Sequence, residues 1–204
     1  METLPGPRTW HDASTTRRLA IGGVVGPAAF VTTWAVLGAR MPDYDPTTDA
    51  ISRLAADGAP YQAWMTAGFV AFGVGVPLFA VALRDALPGR AWLTAAATGI
   101  ATLGVAALPL DGWAGDPAHA VAAGIGYVTL AATPLLAAGP LADLGHRRAA
   151  VASRVIGVAA LACLAGTTVA DRSGMLQRMG LTLGDIWLVT AAVGILRGGY
   201  GRPA

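Results

Sequence analysis

The chain has 204 residues, 54% of them hydrophobic and 13% charged, with a mean hydropathy of +0.55. An ordinary soluble domain carries about 25% charged residues, so this composition excludes one and points to a protein embedded in a membrane. All 14 basic side chains are arginine and the net charge is only +2, so the sequence pI of about 9.1 gives no ground for a nucleic-acid partner.

In chain order, a basic segment (1–18) leads into an apolar run at 19–39, and further runs follow at 63–83, 91–110, 118–141, 149–170 and 180–197. A helix rises about 1.5 Å per residue, so about 20 residues cross a hydrocarbon core of about 30 Å. The last run is the shortest and spans only if Met179 and Gly198 lie at the interfaces. Six spans use up residues 19–198 as one transmembrane domain, leaving 199–204 as a tail. The expectation is an all-α integral membrane six-helix bundle, since in lipid every backbone polar group must be satisfied internally.

Arginine sets the orientation. Arg8, Arg17, Arg18, Arg84, Arg90, Arg147, Arg148, Arg197 and Arg202 flank one set of span ends, while Arg40, Arg53, Arg172 and Arg178 flank the other. The positive-inside rule then predicts both termini in the cytoplasm. Asp43, Asp45, Asp49, Asp57, Asp111, Asp116 and Asp171 fall in the opposite, outer loops and make that face anionic. Arg154, a few residues inside the fifth run, is read as snorkelling to the cytoplasmic surface, with an anionic headgroup as the alternative. The first run, about 21 residues long without an A-x-A site, exceeds the 7–15 of a signal h-region and is expected to be retained. The Lys-free, Ala/Gly/Arg-rich composition suggests a bacterial plasma membrane as the location of this multi-pass chain. Cys163, the single cysteine, permits no intrachain disulfide and reads as packing.

The connections at 84–90 and 142–148 are short and basic, whereas the first outer loop, 40–62, is long. Within it Asp45 and Pro46 read as the start of a short amphipathic helix presenting Ile51, Leu54 and Ala55 on one face, with Gly58 as its stop. This helix is expected on the outer membrane surface as a partial lid. Gly22 and Gly26 form a GxxxG pair suited to close helix packing, and Pro27, Pro77 and Pro134 interrupt three runs. Trp10, Trp34, Trp64, Trp92, Trp113 and Trp187, with Tyr44 and Tyr61, read as interfacial anchors.

The segment Tyr44-Asp45 through Ala50-Ile51-Ser52-Arg53-Leu54, then Gly58-Ala59-Pro60 and Gly68-Phe69, following Gly26-Pro27, resembles the prokaryotic membrane family called domain of unknown function 998. His119 and the Gln177-Arg178 pair fit the same pattern. The arrangement is similar, more distantly, to the six-span Frag1/DRAM/Sfk1 proteins. The resemblance implies six helices and a meaningful first outer loop, and no established chemistry.

The polar residues singled out lie at or just below the outer surface. Candidate catalytic residues are His119, Asp111, Asp185 and Ser52; candidate ligand-binding residues are Asp45, Asp49, Arg53, Asp116, Gln177 and Arg178. Asp185, read as about one turn inside the last span, is expected to face protein with Arg178 or His119 as partner. Asp116 can cap the helix that opens with Pro117 and His119, so a structural role for His119 stands beside a catalytic one. No metal or cofactor is assigned: a zinc hydrolase is disfavoured because one histidine lies on this face while His11 and His146 fall on the other, and an all-carboxylate metal site stays open. Three functions remain open. The first is binding of a lipid or small amphiphile beneath the outer loop; the second is an intramembrane enzyme using Asp/His acid-base chemistry on a lipid or prenyl substrate, with Ser52 as a nucleophile. The third is a small transporter subunit, disfavoured by a midplane read as free of charge. The expected partners are membrane lipids, with an oligomer also open and no nucleic acid.

Overall fold

The computed structural model describes residues 11–198 and Tyr200, so the expected roles of Arg8, Trp10, Arg202 and the tail lie outside the described residues. Helices α1 (Ala13–Ala20) and α2 (Gly22–Gly38) run on from one another, followed by α3 (Gln62–Ala86), α4 (Ala91–Ala107), α5 (Asp116–Asp143), α6 (Arg147–Gly166) and α7 (Ser173–Leu196). A 3₁₀ helix, Ile51–Ala55, lies in the long loop between α2 and α3. No strand occurs among the described residues.

Five helical segments are long and apolar enough to cross a membrane: Ala13–Gly38, Gln62–Ala86, Asp116–Asp143, Arg147–Gly166 and Ser173–Leu196. The lengths differ from the sequence expectation at two places. The last run, expected to be the shortest, belongs to a 24-residue helix, because α7 begins at Ser173, well before the apolar run. Helix α4, expected to reach residue 110, ends at Ala107 with 17 residues, since Pro109 disfavours helical backbone at Leu108.

Each helix packs against its neighbours in sequence, and α7 closes the ring by packing on α1 and α2. The turns between them use positive-φ glycines, Gly89 between α3 and α4 and Gly145 between α5 and α6. The GxxxG pair does bring helices together: a Cβ on Gly75 of α3 would stand 2.7 Å from the Gly22 carbonyl oxygen and 3.0 Å from the Gly26 Cα. The core between the helices is filled by Phe30, Phe69, Phe72, Phe79, Leu83, Leu130 and Leu188, while Val25, Ile100, Val121, Val155 and Ile186 face outward. An exposed apolar belt around a packed interior is what a lipid-embedded bundle requires.

The bundle has two unlike ends. At the arginine-rich end, Asp12 caps α1 by accepting the Thr15 N–H at 2.7 Å. Buried Asp85 accepts hydrogen bonds from His11 Nδ1 at 2.8 Å and Thr16 Oγ1 at 3.2 Å, tying α1 to the end of α3. At the other end the loop 39–61 folds over the helix tips as a cap.

Candidate functional site

Short-range chemistry shapes the cap. The Asp45 carboxylate accepts the backbone N–H and hydroxyl of Thr47, both at 2.8 Å, and Asp49 accepts the Asp45 N–H at 2.9 Å. These bonds hold the Asp45 carboxyl below the usual carboxylate range, the Thr47 N–H first among the causes. They also close a tight turn, which is why Asp45 does not start the expected amphipathic helix. The helix that forms is the five-residue 3₁₀ segment, and it lies inside: Ile51, Ser52, Leu54 and Ala55 are buried and Arg53 is exposed. Gly58 turns the chain at φ +75°.

Four side chains of the bundle hold the cap from beneath. Arg178 Nη1 lies 2.8 Å from the Pro46 carbonyl, 2.9 Å from that of Asp49 and 2.9 Å from that of Gly174, while Nη2 donates to the Tyr44 hydroxyl. Its guanidinium carbon also stands 5.5 Å from the Trp34 ring centroid and 5.4 Å from that of Tyr44, so Trp34 acts here as a cation-π partner. Burial pushes the Tyr44 phenol up, partly opposed by the positive charge of Arg178. Gln177, buried, accepts the Ile51 N–H at 2.8 Å and donates to the Tyr127 hydroxyl. Ser173 donates to the Thr48 carbonyl at 3.0 Å, and the Met175 N–H to that of Thr47 at 2.9 Å. Gly174 allows this contact, because a Cβ there would meet the Asp49 carbonyl oxygen at 2.5 Å.

The fourth anchor is His119. Its Nδ1 is 2.6 Å from the Leu108 carbonyl oxygen and its Nε2 is 2.8 Å from Ser52 Oγ. A carbonyl can only accept, so Nδ1 carries the proton. In the neutral ring Nε2 then presents its lone pair to the Ser52 hydroxyl, which donates. Both residues are buried, at 5% and 7% exposure. Asp111 and Asp116 take no part: the Asp111 carboxylate pairs with Arg53 at 2.9 Å on the surface, and Asp116 accepts the Asp111 N–H at 2.9 Å. Asp111 stands at φ +57°, a backbone state aspartate tolerates better than most residues. Asp116 therefore spends its side chain on that turn, and Gly115, not Asp116, occupies the position before α5.

Ser52 and Gln177 both reach a narrow cavity of about 50 Å³ beneath the cap. Its walls are Phe30, Phe69, Phe72, Val105, Leu130 and Leu181, with the Tyr127 hydroxyl and Thr98 and Thr102 of α4 as the other polar groups. Among the described residues no group of three or more His, Cys, Asp or Glu converges to hold a metal ion.

Asp185 stands apart. It is 4% exposed near the middle of α7, about 10 Å below Arg178 along the helix axis. Neither of its expected partners is near it in bonding terms, since Arg178 is engaged with the cap and His119 with Ser52 and Leu108. Its two carboxyl oxygens have no hydrogen-bond partner among the described residues. Asp185 lies deeper in its helix than the single turn expected, for the reason that lengthened α7: three turns of helix precede this residue.

Tyr127 was missed from the sequence, although a tyrosine in the middle of an apolar run is a readable polar signal. So was the hydroxyl ladder between α4 and α5, in which Thr98 donates to Thr129 and Thr133 to Thr94, each at 2.9 Å. Trp187, expected at an interface, is buried and donates its indole N–H to Ser153 at 2.8 Å, joining α7 to α6.

Comparison with known proteins gives one match. The model of the family described as "Protein of unknown function (DUF998)" matches residues 24–194, which span the cap, the cavity and Asp185. No curated protein and no solved structure matches the chain.

Proposed function

We propose, for this chain as a member of the DUF998 family, a membrane protein that binds a lipid or small amphiphile at the outer face of a plasma membrane. In this reading all six apolar helices cross the bilayer, α4 with help from its flanking residues, and both termini lie in the cytoplasm, because the arginine-rich end retains positive charge on that side. The single observation that carries the reading is the apolar cavity under a roof of hydrogen-bonded polar side chains from the cap, α5 and α7. A water requires roughly 10–15 Å³ of such volume, so a cavity of about 50 Å³ admits only the end of an acyl chain. The polar end of the ligand then meets Ser52, Gln177 and Tyr127, and entry of more than a chain end requires the cap to lift.

Photocrosslinking tests this. A phospholipid with a diazirine on its acyl chain, added to the purified protein in nanodiscs, is expected to label Phe72, Val105 or Leu181. Filling the cavity with Val105→Trp is expected to remove that labelling. Labelling confined to the outward residues Val25, Ile100 and Val121 in both proteins sinks the reading.

A second reading is favoured by the Ser52–His119 geometry: acyl transfer on a lipid ester. The Leu108 carbonyl fixes the tautomer that a general base needs, the role a carboxylate plays in other serine–histidine sites. As Ser52 Oγ bonds to the acyl carbon, its proton passes to Nε2. When the ester C–O bond breaks, Nε2 returns that proton to the departing alkoxide, and the Tyr127 O–H is a donor on the same wall for the oxyanion. A fluorophosphonate probe is expected to label Ser52 and to lose that label in His119→Ala. An unlabelled Ser52 in a protein that still crosslinks lipid leaves binding alone.

A further inference from the structure

We propose that Asp185 is an intramembrane binding site for the ammonium group of a lipophilic amine, entered sideways from the bilayer between α2 and α7. The site is independent of the cavity beneath the cap. It rests on two observations: a carboxyl that is buried with both oxygens unpartnered among the described residues, and a groove of about 250 Å³ that the same residue helps to line.

The groove is lined on α2 by Pro27, Ala28 and Val31 and on α7 by Asp185, Ile186 and Val189, with the Thr182 and Thr190 hydroxyls at its margins. Its walls are otherwise apolar, and Ile186, half exposed, faces outward beside it. Helix α2 carries no ionisable residue, Arg154 of α6 is exposed, the ionisable residues of α3 lie at its end, and those of α5, mid-helix Tyr127 among them, do not line the groove. A structural role for a buried carboxyl requires a partner that uses its oxygens; Ser52, His119, Gln177 and Asp85 all have one, and Asp185 does not. Depth sharpens the point, since α7 places this group about 10 Å from Arg178 and about 18 Å from Arg197, beyond hydrogen-bond reach of either. Intramembrane ionisable residues mark ligand, ion or proton pathways far more often than they serve packing.

The chemistry of the site selects the occupant. An apolar groove open to lipid accepts an alkyl chain, and a carboxylate without a counter-charge accepts a cation that donates N–H bonds to both oxygens. A primary alkylamine fits both, because an aliphatic amine of lysine type is protonated at neutral pH and reaches the site dissolved in the bilayer. A proton and an ammonium compete for the same carboxyl oxygens, so a bound amine excludes the proton. An anionic or neutral amphiphile lacks the second half of this match.

The test uses the full chain in detergent micelles with dodecylamine as the probe and dodecanol as its uncharged counterpart. Dicyclohexylcarbodiimide, an apolar reagent for protonated carboxyls, is expected to label Asp185, as read by peptide mass spectrometry. Dodecylamine is expected to reduce total modification of Asp185, carbodiimide adduct and dodecylamide counted together, at least fivefold more than the same concentration of dodecanol. It is also expected to raise the unfolding temperature more than dodecanol does, and Asp185→Asn, close to isosteric, is expected to erase that difference. Equal protection by amine and alcohol overturns the proposal and leaves an apolar groove without charge recognition. An amine effect that survives in Asp185→Asn overturns it as well. Should Asp185→Asn fail to fold, Thr182→Val, which keeps the carboxyl, and the wild-type amine-against-alcohol ratio still decide: a ratio near one ends the idea.

Discussion

The cap and the middle of α7 handle buried polarity in opposite ways. Under the cap, the side chains of Ser52, His119 and Gln177 are engaged, and Arg178 gathers three carbonyls and a phenol with its two Nη groups, its Nε alone having no partner among the described residues. In α7 a carboxyl stands beside a mostly apolar groove with no hydrogen-bond partner among the described residues. Satisfied polar networks hold a fold together, whereas an unsatisfied group destabilises it until something else supplies the partner. The difference separates architecture from binding: cap polarity first stitches a loop to a bundle, and the polarity of Asp185 stitches nothing.

The largest effect that tests this contrast belongs to Arg178. Removing it leaves the Pro46 and Asp49 carbonyls without their donor and the Tyr44 hydroxyl without its charged neighbour. Bonds to a charged donor contribute about 1.5–3 kcal/mol, so Arg178→Ala is expected to lose about 3 kcal/mol of stability. Protease cleavage within residues 42–50 should appear before global unfolding, and Arg178→Lys should recover only part, because an ammonium lacks the guanidinium fork. A cap as resistant as wild type in Arg178→Ala would remove the stitching account.

Next in size is the Ser52–His119 pair. Ser52→Ala strips from buried Nε2 its only partner among the described residues and is expected to cost about 1–3 kcal/mol. The coupling between Ser52→Ala and His119→Ala should reach about 1 kcal/mol in a double-mutant cycle read by thermal unfolding. Additive losses would mean that the 2.8 Å contact does no structural work, and would throw the weight of that pair onto chemistry.

How much of this contrast was readable beforehand depended on whether the interaction was local. The apolar runs, the Gly22/Gly26 approach and the bend at Gly58 follow from spacing within a few residues. Ser52, His119, Gln177 and Arg178 were each recognisable as polar groups near one face, but their pairing joins positions 67 and 126 residues apart, which no spacing encodes. The Leu108 carbonyl that fixes the His119 tautomer is a backbone atom and invisible to any reading of side chains. The depth of Asp185 was misjudged because hydropathy locates where the apolar run begins, at Leu181, and not where the helix begins. Ser173 to Gly180 are helical because the cap supplies partners for their backbone and side chains, as the Met175–Thr47 and Ser173–Thr48 bonds do.

At Asp185 the expected sign reverses. Replacing a buried group that has no partner with an apolar one of similar volume is often neutral or stabilising, so Asp185→Leu is expected to raise stability by about 1 kcal/mol in the absence of ligand. A loss of about 3 kcal/mol in that variant, measured as for Arg178→Ala, would place Asp185 with the cap residues as architecture.

The smallest effect separates the cap's interior from its rim. Arg53 and Asp111 make the only ion pair at this end among the described residues, yet both side chains are about half exposed, at 50% and 55%. Water and salt screen such a pair, and its worth is about 0–1 kcal/mol. Arg53→Ala is therefore expected to shift stability by no more than about 0.5 kcal/mol, with the shift vanishing at high salt, and to leave lipid crosslinking unchanged. A loss of crosslinking without a loss of stability would instead make Arg53 the first contact for an anionic headgroup, because the same exposure that weakens the pair leaves the guanidinium open to an anion arriving from the outer leaflet.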